Sequence, residues 1–551
     1  MRCRAFLLGV SLLAAVTCGG GAPSRSGGSG GGGISSGATS GSGGSPSTGG
    51  VAGTPGQAPP AGPLVGDFLG LNGFIDDAPS KLAAVGNVRE YHDWTWNDGN
   101  GASGYPGYPN SQLSFSLFGG SWDFDAYYTA LDRAGVLPFP CLQGSVDYLG
   151  NAMPPVATGG DPTMPASYVA HASFLYQYAA RYGAAAVPTS NLQLAAGQSA
   201  RTGLGVLRYY EDGNEPDANW VNADGSPLFS PAAAAAMSSA DYDGDQGRLG
   251  ATFGIKNADP NGKLVMAGLA GAGASSDWLT NVTTYLDGMR AWAAAHRGGS
   301  FPADVINVHD YCFGPDPFGT TNPRPGLAPE ACGLAGAVAG VVAYRDQHLP
   351  GKEVWLTEFG YDTDPGSRLR APAIGAADAQ AVQGQWLVRS FLALLGSGID
   401  RAFLFVSRDA CTGSAAACPN NAVQFSTSGV LTQKGDEQPK TAWYYLATMR
   451  ARLGTMRYAG PSPSGTANIS IARFYDAAAN QGAYVAWLST SDGSTASGYR
   501  LPLPAAVSTA TVVTLTAGSA TGTAASTAIT AHGITLTVTE TPVIVLVDGA
   551  P

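Results

Sequence analysis

The sequence predicts an α/β fold: a (β/α)8 TIM barrel followed by a small all-β sandwich domain. Three observations carry that expectation. From Leu64 to about Leu453, eight short apolar runs alternate with longer stretches of helical apolar spacing. No glycine-rich phosphate turn follows the first run, where Asn72-Gly73-Phe74 stands instead, and this argues against an open doubly wound sheet. After Arg452 the helical spacing stops, and Thr, Val, Ala and Ser dominate short alternating runs.

In chain order, residues 1–18 read as an export signal. Arg2 and Arg4 give a positive start, and Ala5 to Val16 form a 12-residue apolar stretch. A bilayer-spanning helix takes about 20 apolar residues, so this stretch is too short to span. Cys18 followed by Gly-Gly-Gly resembles a bacterial lipoprotein signal, which makes Cys18 a candidate lipid anchor; ordinary secretion is the alternative. Residues 19–62 are almost entirely Gly, Ser, Pro, Thr and Ala, with Arg25 the only charge. Such a segment buries too little apolar surface to offset its chain entropy and reads as a flexible linker.

The barrel is expected over residues 63–453. Its candidate strands are Phe68–Asn72, Val88–His92, Leu137–Leu142, Leu207–Asp212, Leu264–Leu269, Val305–Tyr311, Val354–Phe359 and Ala402–Val406. Helical spacing is clearest over Tyr168–Tyr182, Trp278–His296 and Ala379–Leu395. The sandwich is expected over 454–551, with strands at Ile469–Tyr475, Tyr484–Leu488, Thr511–Leu515, Ile534–Val538 and Val543–Val547. A further strand borrowed from the chain just before the barrel would extend it.

Composition bounds the function. The 44% apolar content excludes wholesale disorder, and the 29 Lys+Arg against 40 Asp+Glu give a net charge of -11. An acidic chain lacks the basic footprint of a nucleic-acid binder. Of seven cysteines, Cys312/Cys332 and Cys411/Cys418 suit disulfides in an oxidising compartment, and Cys141 in its apolar run suits a buried free thiol. No CxxC or HExxH occurs among these residues, so no zinc site and no cofactor is expected. Asp241-Tyr-Asp243-Gly-Asp245 starts like a calcium loop, but its twelfth position is Thr252, and a solvated loop is the better reading.

In a barrel of this kind the chemistry sits at the C-terminal ends of the strands. Strand four ends in Asn214-Glu215-Pro216 and strand seven in Thr357-Glu358-Phe359-Gly360. Two carboxylates facing each other across the barrel mouth are what glycosidic cleavage needs, one to protonate the leaving oxygen and one to attack or stabilise the anomeric carbon. Arg89 and Tyr311 would keep Glu358 ionised, and a drier setting would keep Glu215 protonated. His309 and Tyr311 alternate on strand six and share a face. Trp94, Trp96 and Trp220 are candidate rings for stacking on sugar; Tyr105, Tyr108 and Trp122 lie in the same loop as the first two.

Asn-Glu-Pro on strand four with Thr-Glu-Phe-Gly on strand seven resembles clan A of the glycoside hydrolases, family 39-like, and the trailing β-sandwich is similar to that of family 39 and family 30 members. The resemblance implies a retaining β-glycoside hydrolase acting on extracellular polysaccharide or oligosaccharide. It makes Glu215 the acid/base, Glu358 the nucleophile and Asn214 a partner of the sugar 2-hydroxyl. It places Arg89 at the end of strand two near the nucleophile, and His309 and Tyr311 at the lining of the site. It also implies a carboxyl separation of about 5–5.5 Å. The expected partner is carbohydrate, with no nucleic acid, membrane contact only through Cys18, and a monomeric exported bacterial protein. A non-catalytic carbohydrate-binding surface protein and a transglycosylase are the rival readings.

Overall fold

A computed structural model describes residues 62–98, 113–117, 122–317, 320–410 and 424–551. The signal, all but the last residue of the linker, Tyr105, Tyr108 and the Cys411/Cys418 pair lie outside the described residues. No helix among the described residues is long and apolar enough to cross a membrane.

Eight parallel strands close into a barrel in chain order: β1 (Leu69–Gly73), β2 (Asn87–Asp93), β3 (Leu137–Gln143), β4 (Tyr209–Glu211), β5 (Lys263–Val265), β6 (Val305–His309), β7 (Glu353–Phe359) and β8 (Arg401–Leu404). Seven helices follow β2 to β8: α1 (Phe124–Arg133), α2 (Val169–Tyr182), α3 (Pro231–Asp243), α4 (Trp278–His296), α5 (Leu334–His348), α6 (Ala379–Leu395) and α7 (Thr441–Leu453). The first crossover departs from the expected pattern, because only the single turn Pro79–Leu82 stands there. Asp277 and Asp378 cap α4 and α6 by accepting backbone N–H bonds from Thr280 and Ala381.

The lower barrel interior is filled by Phe139, Tyr209, Val265, Val305, Trp355 and Phe403, one from each of β3 to β8. On β1 the matching position is Gly70, where a Cβ would lie 2.2 Å from the Phe403 ring, so the bulk of Phe403 is accommodated by its neighbour's lack of a side chain. Above this apolar plug the lining turns polar, with Asn72, Arg89, Glu211, Asn307 and Thr357 all fully buried.

After α7 the chain forms a six-stranded antiparallel sheet from β9 (Arg457–Pro461), β10 (Ile469–Asp476), β11 (Gln481–Leu488), β13 (Ala510–Thr514), β14 (Thr523–Thr527) and β16 (Val543–Asp548), in the order β9-β10-β11-β16-β13-β14. A two-stranded sheet, β12 (Thr495–Pro502) with β15 (Gly533–Thr539), covers one face. Along β11, Tyr484, Ala486 and Leu488 enter the core between the sheets, while Ala483, Val485 and Trp487 join the core of the barrel. Both faces of this strand are therefore buried, which explains its nearly unbroken apolar run. Among the described residues, the segment before the barrel adds no strand; it contributes one bridge, Leu64 to Arg457.

The 241–245 segment is not a solvated loop. Asp241 is buried on α3 against His171, Arg297 pairs with Asp243, and Arg248 with Asp245. The expected Cys312–Cys332 disulfide is formed, and Cys141 is a buried free thiol.

Candidate active site

Strand alternation alone would turn Glu358 away from the barrel axis, because Trp355 and Thr357 already point inward. A β-bulge prevents this. Against β6 the register runs from Val308–Leu356 to His309–Glu358, and against β8 from Ala402–Leu356 to Leu404–Phe359. The extra residue of β7 brings Glu358 beside His309 on the inner face, the re-aiming for which bulges recur near functional sites.

Four groups converge on Glu358. Arg89 Nη1 donates to Oε1 at 2.9 Å, Tyr91 Oη donates to the same oxygen, and Tyr311 Oη donates to Oε2 at 2.8 Å. His309 Nδ1 lies 3.5 Å from Oε1. Burial pushes the carboxyl pKa up, but the charges of His309 and Arg89 and the two tyrosine hydroxyls outweigh it, and Glu358 is held below the usual carboxylate range.

Glu215 reaches the same space from the end of β4. Its backbone is left-handed, with φ +44°, a strained conformation for a glutamate that costs on the order of 1–3 kcal/mol. Its N–H donates to the Gly268 carbonyl at 3.0 Å, and its own carbonyl accepts from Ala218 N–H at 3.1 Å. Two residues on, the buried Asp217 carboxylate accepts the N–H groups of Ala270 and Ala272 and so clasps the turn after β5. Burial pushes Asp217 up to about 6, opposed by those N–H bonds.

His309 joins the two carboxylates. Its Nδ1 is 3.0 Å from Glu215 Oε1 and its Nε2 is 3.0 Å from Thr357 Oγ1. Thr357 spends its own proton on Asn307 Oδ1 at 2.7 Å, so His309 Nε2 must be the donor to Thr357. Burial lowers the imidazole pKa, but Glu358 and Glu215 raise it more, and the net shift is upward. Only one proton can occupy the line between Nδ1 and Glu215.

Of the expected site residues, Glu215, Glu358, Asn214, Arg89, His309 and Tyr311 are brought together. Arg89 is not at the end of strand two. It sits mid-strand, a layer deeper, where Nε and Nη2 grip the buried Glu211 at 2.5 and 3.0 Å and Nη2 reaches Asn214 Oδ1 at 2.8 Å. Glu215 is also not in the drier setting: its side chain is 17% exposed against 7% for Glu358.

Trp94 and Trp96 are corrections. Trp94 is 0% exposed and stacked on Phe174, and Trp96 is 7% exposed and stacked on Phe124. Both rings belong to the one-turn helix Trp94–Trp96 and are buried, so neither is a free face for sugar. Trp220 is 48% exposed on the loop after β4. Sequence reasoning missed Tyr91, Glu211 and Asn72. Tyr91 had a signal, since it lies two residues beyond Arg89 and shares its face; Glu211 and Asn72 had none beyond their strands.

Glu215, His309 and Glu358 each offer a donor atom, all within 4.8 Å of one another. A cation there would face the Arg89 guanidinium, already on Glu358 Oε1 at 2.9 Å.

The comparisons agree on architecture. A scan against protein families finds no match, and no curated protein matches the sequence. Among solved structures the fold resembles those of several glycoside hydrolases. A glucosidase from Croceicoccus marinus has TM-score 0.53 and 12% identity, over 89% of this chain and 98% of that one. A family 44 xyloglucanase from Paenibacillus polymyxa has TM-score 0.51 and 13% identity, over 89% and 97%. A GH30 endoxylanase from Clostridium papyrosolvens C71 has TM-score 0.50 and 13% identity, over 90% and 98%. At such identities the likeness is one of fold. It does not show the family 39 likeness expected from the motifs.

Proposed function

We propose that the protein is a retaining β-glycoside hydrolase of clan A type, acting on extracellular polysaccharide or oligosaccharide. The observation that carries this reading is the pair of carboxylates at the barrel mouth, with donor atoms of Glu215 and Glu358 within 4.8 Å. So close an approach of one oxygen from each residue favours the retaining arrangement, whose carboxyl groups stand about 5–5.5 Å apart, over the inverting one at about 6.5–9.5 Å.

Glu358, held ionised by Arg89, Tyr91 and Tyr311, attacks the anomeric carbon. Glu215 gives a proton to the leaving oxygen; the single proton on its line to His309 is the one available for this step. The glycosyl ester on Glu358 is then cleaved by water, which Glu215 deprotonates. Asn214, fixed through Oδ1 by Arg89, turns its amide towards the sugar 2-hydroxyl, and exposed Trp220 offers a stacking face on the aglycone side. Residues 1–18 direct export, Cys18 is acylated as the lipid anchor, and residues 19–62 tether a monomeric enzyme at the cell surface; ordinary secretion is the alternative.

The test is reducing-sugar release from xylans, β-glucans, mannans and aryl β-glycosides, with wild type beside Glu358→Gln. Collapse in the variant supports the assignment, and proton NMR of the first anomer released decides retention. Binding without cleavage would favour the carbohydrate-binding reading, longer products the transglycosylase, and equal release by both proteins would overturn the role of Glu358.

A further inference from the structure

Tyr311 is followed directly by Cys312, whose disulfide partner Cys332 ends the one-turn helix Pro329–Cys332. Within that turn Glu330 faces away from the site. Its carboxylate accepts from Arg389 of α6 at 3.1 Å (Nε) and 2.6 Å (Nη2), and from Trp487 Nε1 of β11 at 2.8 Å. Arg389, buried at the same junction, also donates from Nη1 to the Thr490 carbonyl just past β11. A covalent and hydrogen-bonded line therefore runs from the β-sandwich through Glu330 and the disulfide to the tyrosine on Glu358.

We propose that this line is a positioning device: the sandwich, acting through Trp487, Glu330 and the Cys312–Cys332 bond, sets the Tyr311 hydroxyl on Glu358. Three features make it more than a structural staple. The disulfide closes a loop of sequence separation 20 whose first residue adjoins Tyr311. The far end is fixed by a charged, bidentate grip rather than by apolar contact alone. The Tyr311 ring is otherwise flanked by the rings of Phe313 and Phe425, which steady its plane but do not set the reach of its hydroxyl.

Glu358 is faced by Arg89 and Tyr91 from β2, by His309 and Tyr311 from β6 and its end, and by Glu215 from β4. Only the Tyr311 contact hangs on the disulfide. Loosening it weakens one hydrogen bond to the carboxylate and moves the Glu358 titration upward. The effect on rate rests on Glu358 being the nucleophile; the effect on titration does not.

The experiment follows the Glu358 side-chain carbon by NMR in the substrate-free full chain labelled at glutamate, which has eight such residues, with Glu358→Gln assigning the signal. Wild type, Tyr311→Phe, Cys312→Ser/Cys332→Ser and the triple variant are compared. The expected result is an upward shift in both Tyr311→Phe and the cysteine variant, with no further shift in the triple variant. Trp487→Phe, which removes the indole N–H together with part of the ring, is expected to shift the same signal in the same direction by less, and it serves if the cysteine variant fails to fold. An unchanged titration in the cysteine or Trp487→Phe chain, or shifts that add in the triple variant, would overturn the proposal. Absence of hydrolysis on every sugar would fell the proposed function and leave this result standing.

Discussion

Arg89 holds four acidic or amide partners on one guanidinium: Glu211 through Nε and Nη2, Asn72 and Glu358 through Nη1, and Asn214 through Nη2. A lysine in its place supplies charge without the planar fork. Arg89→Lys is therefore expected to lower kcat and raise the acid limb of the kcat/KM profile. Arg89→Met leaves Glu211 buried and unpaired, and should cost about 3–5 kcal/mol, read as a fall in Tm. The pH sign follows from Glu358. Its folded pKa lies below the unfolded value, so its contribution to stability is present at neutral pH and is lost as pH falls through the folded value. Tyr91→Phe removes one donor and narrows that gap; its acid limb should move to higher pH, and an unmoved limb would count against the role assigned to Tyr91. Glu215→Ala is expected to lose about 10²–10⁴-fold in kcat/KM on poor leaving groups and far less on activated aryl glycosides. Equal losses on both would refute its role as acid.

At the level of single elements, the bulge in β7 and the turn after β5 do the aiming. Gly268 lies where a Cβ would come within 2.2 Å of His309 Nε2, while its carbonyl holds the Glu215 N–H. Gly268→Ala should displace His309 from both Thr357 and Glu215. We expect kcat to fall at least about tenfold with an overpacking cost of about 1–3 kcal/mol in stability, measured by steady-state kinetics and chemical denaturation. The same elements show what the sequence could reveal. All eight barrel strands and the three strongest helices were legible because apolar period and length agree there. Glu358 was legible from its motif, although strand alternation alone points it the wrong way. The exposed β14, Thr-Ala-Ala-Ser-Thr, carries no apolar alternation, and β12 is interrupted by Gly498, so neither was predicted. Trp94 and Trp96 misled because a polar, glycine-rich loop context says nothing about which way its rings fold.

Across the whole molecule, the barrel and sandwich share one core. Ala472, Phe474, Val485, Trp487, Val513 and Ile544 of the sheet belong to the same buried cluster as the barrel helices. The buried Arg389 adds a polar tie at this junction, and Gln385 of α6 donates to Thr541 Oγ1 at 2.8 Å. The described chain should therefore unfold in one cooperative thermal transition rather than two, and calorimetry resolving separate barrel and sandwich peaks would contradict this.

The order of the six-stranded sheet also dictates a schedule for synthesis. β16 is the final strand in the sequence yet lies between β11 and β13, pairing Val485 with Ile544 and Val513 with Ile544. While the chain is being made, β9 to β11 can form a meander against the barrel, but β13 and β14 have nowhere to dock until Val543–Asp548 emerges. A chain that stops before Val543 would thus present two unjoined sheet edges at once, each open to pairing with a neighbouring chain. The strand of this sheet that is made last acts as its keystone.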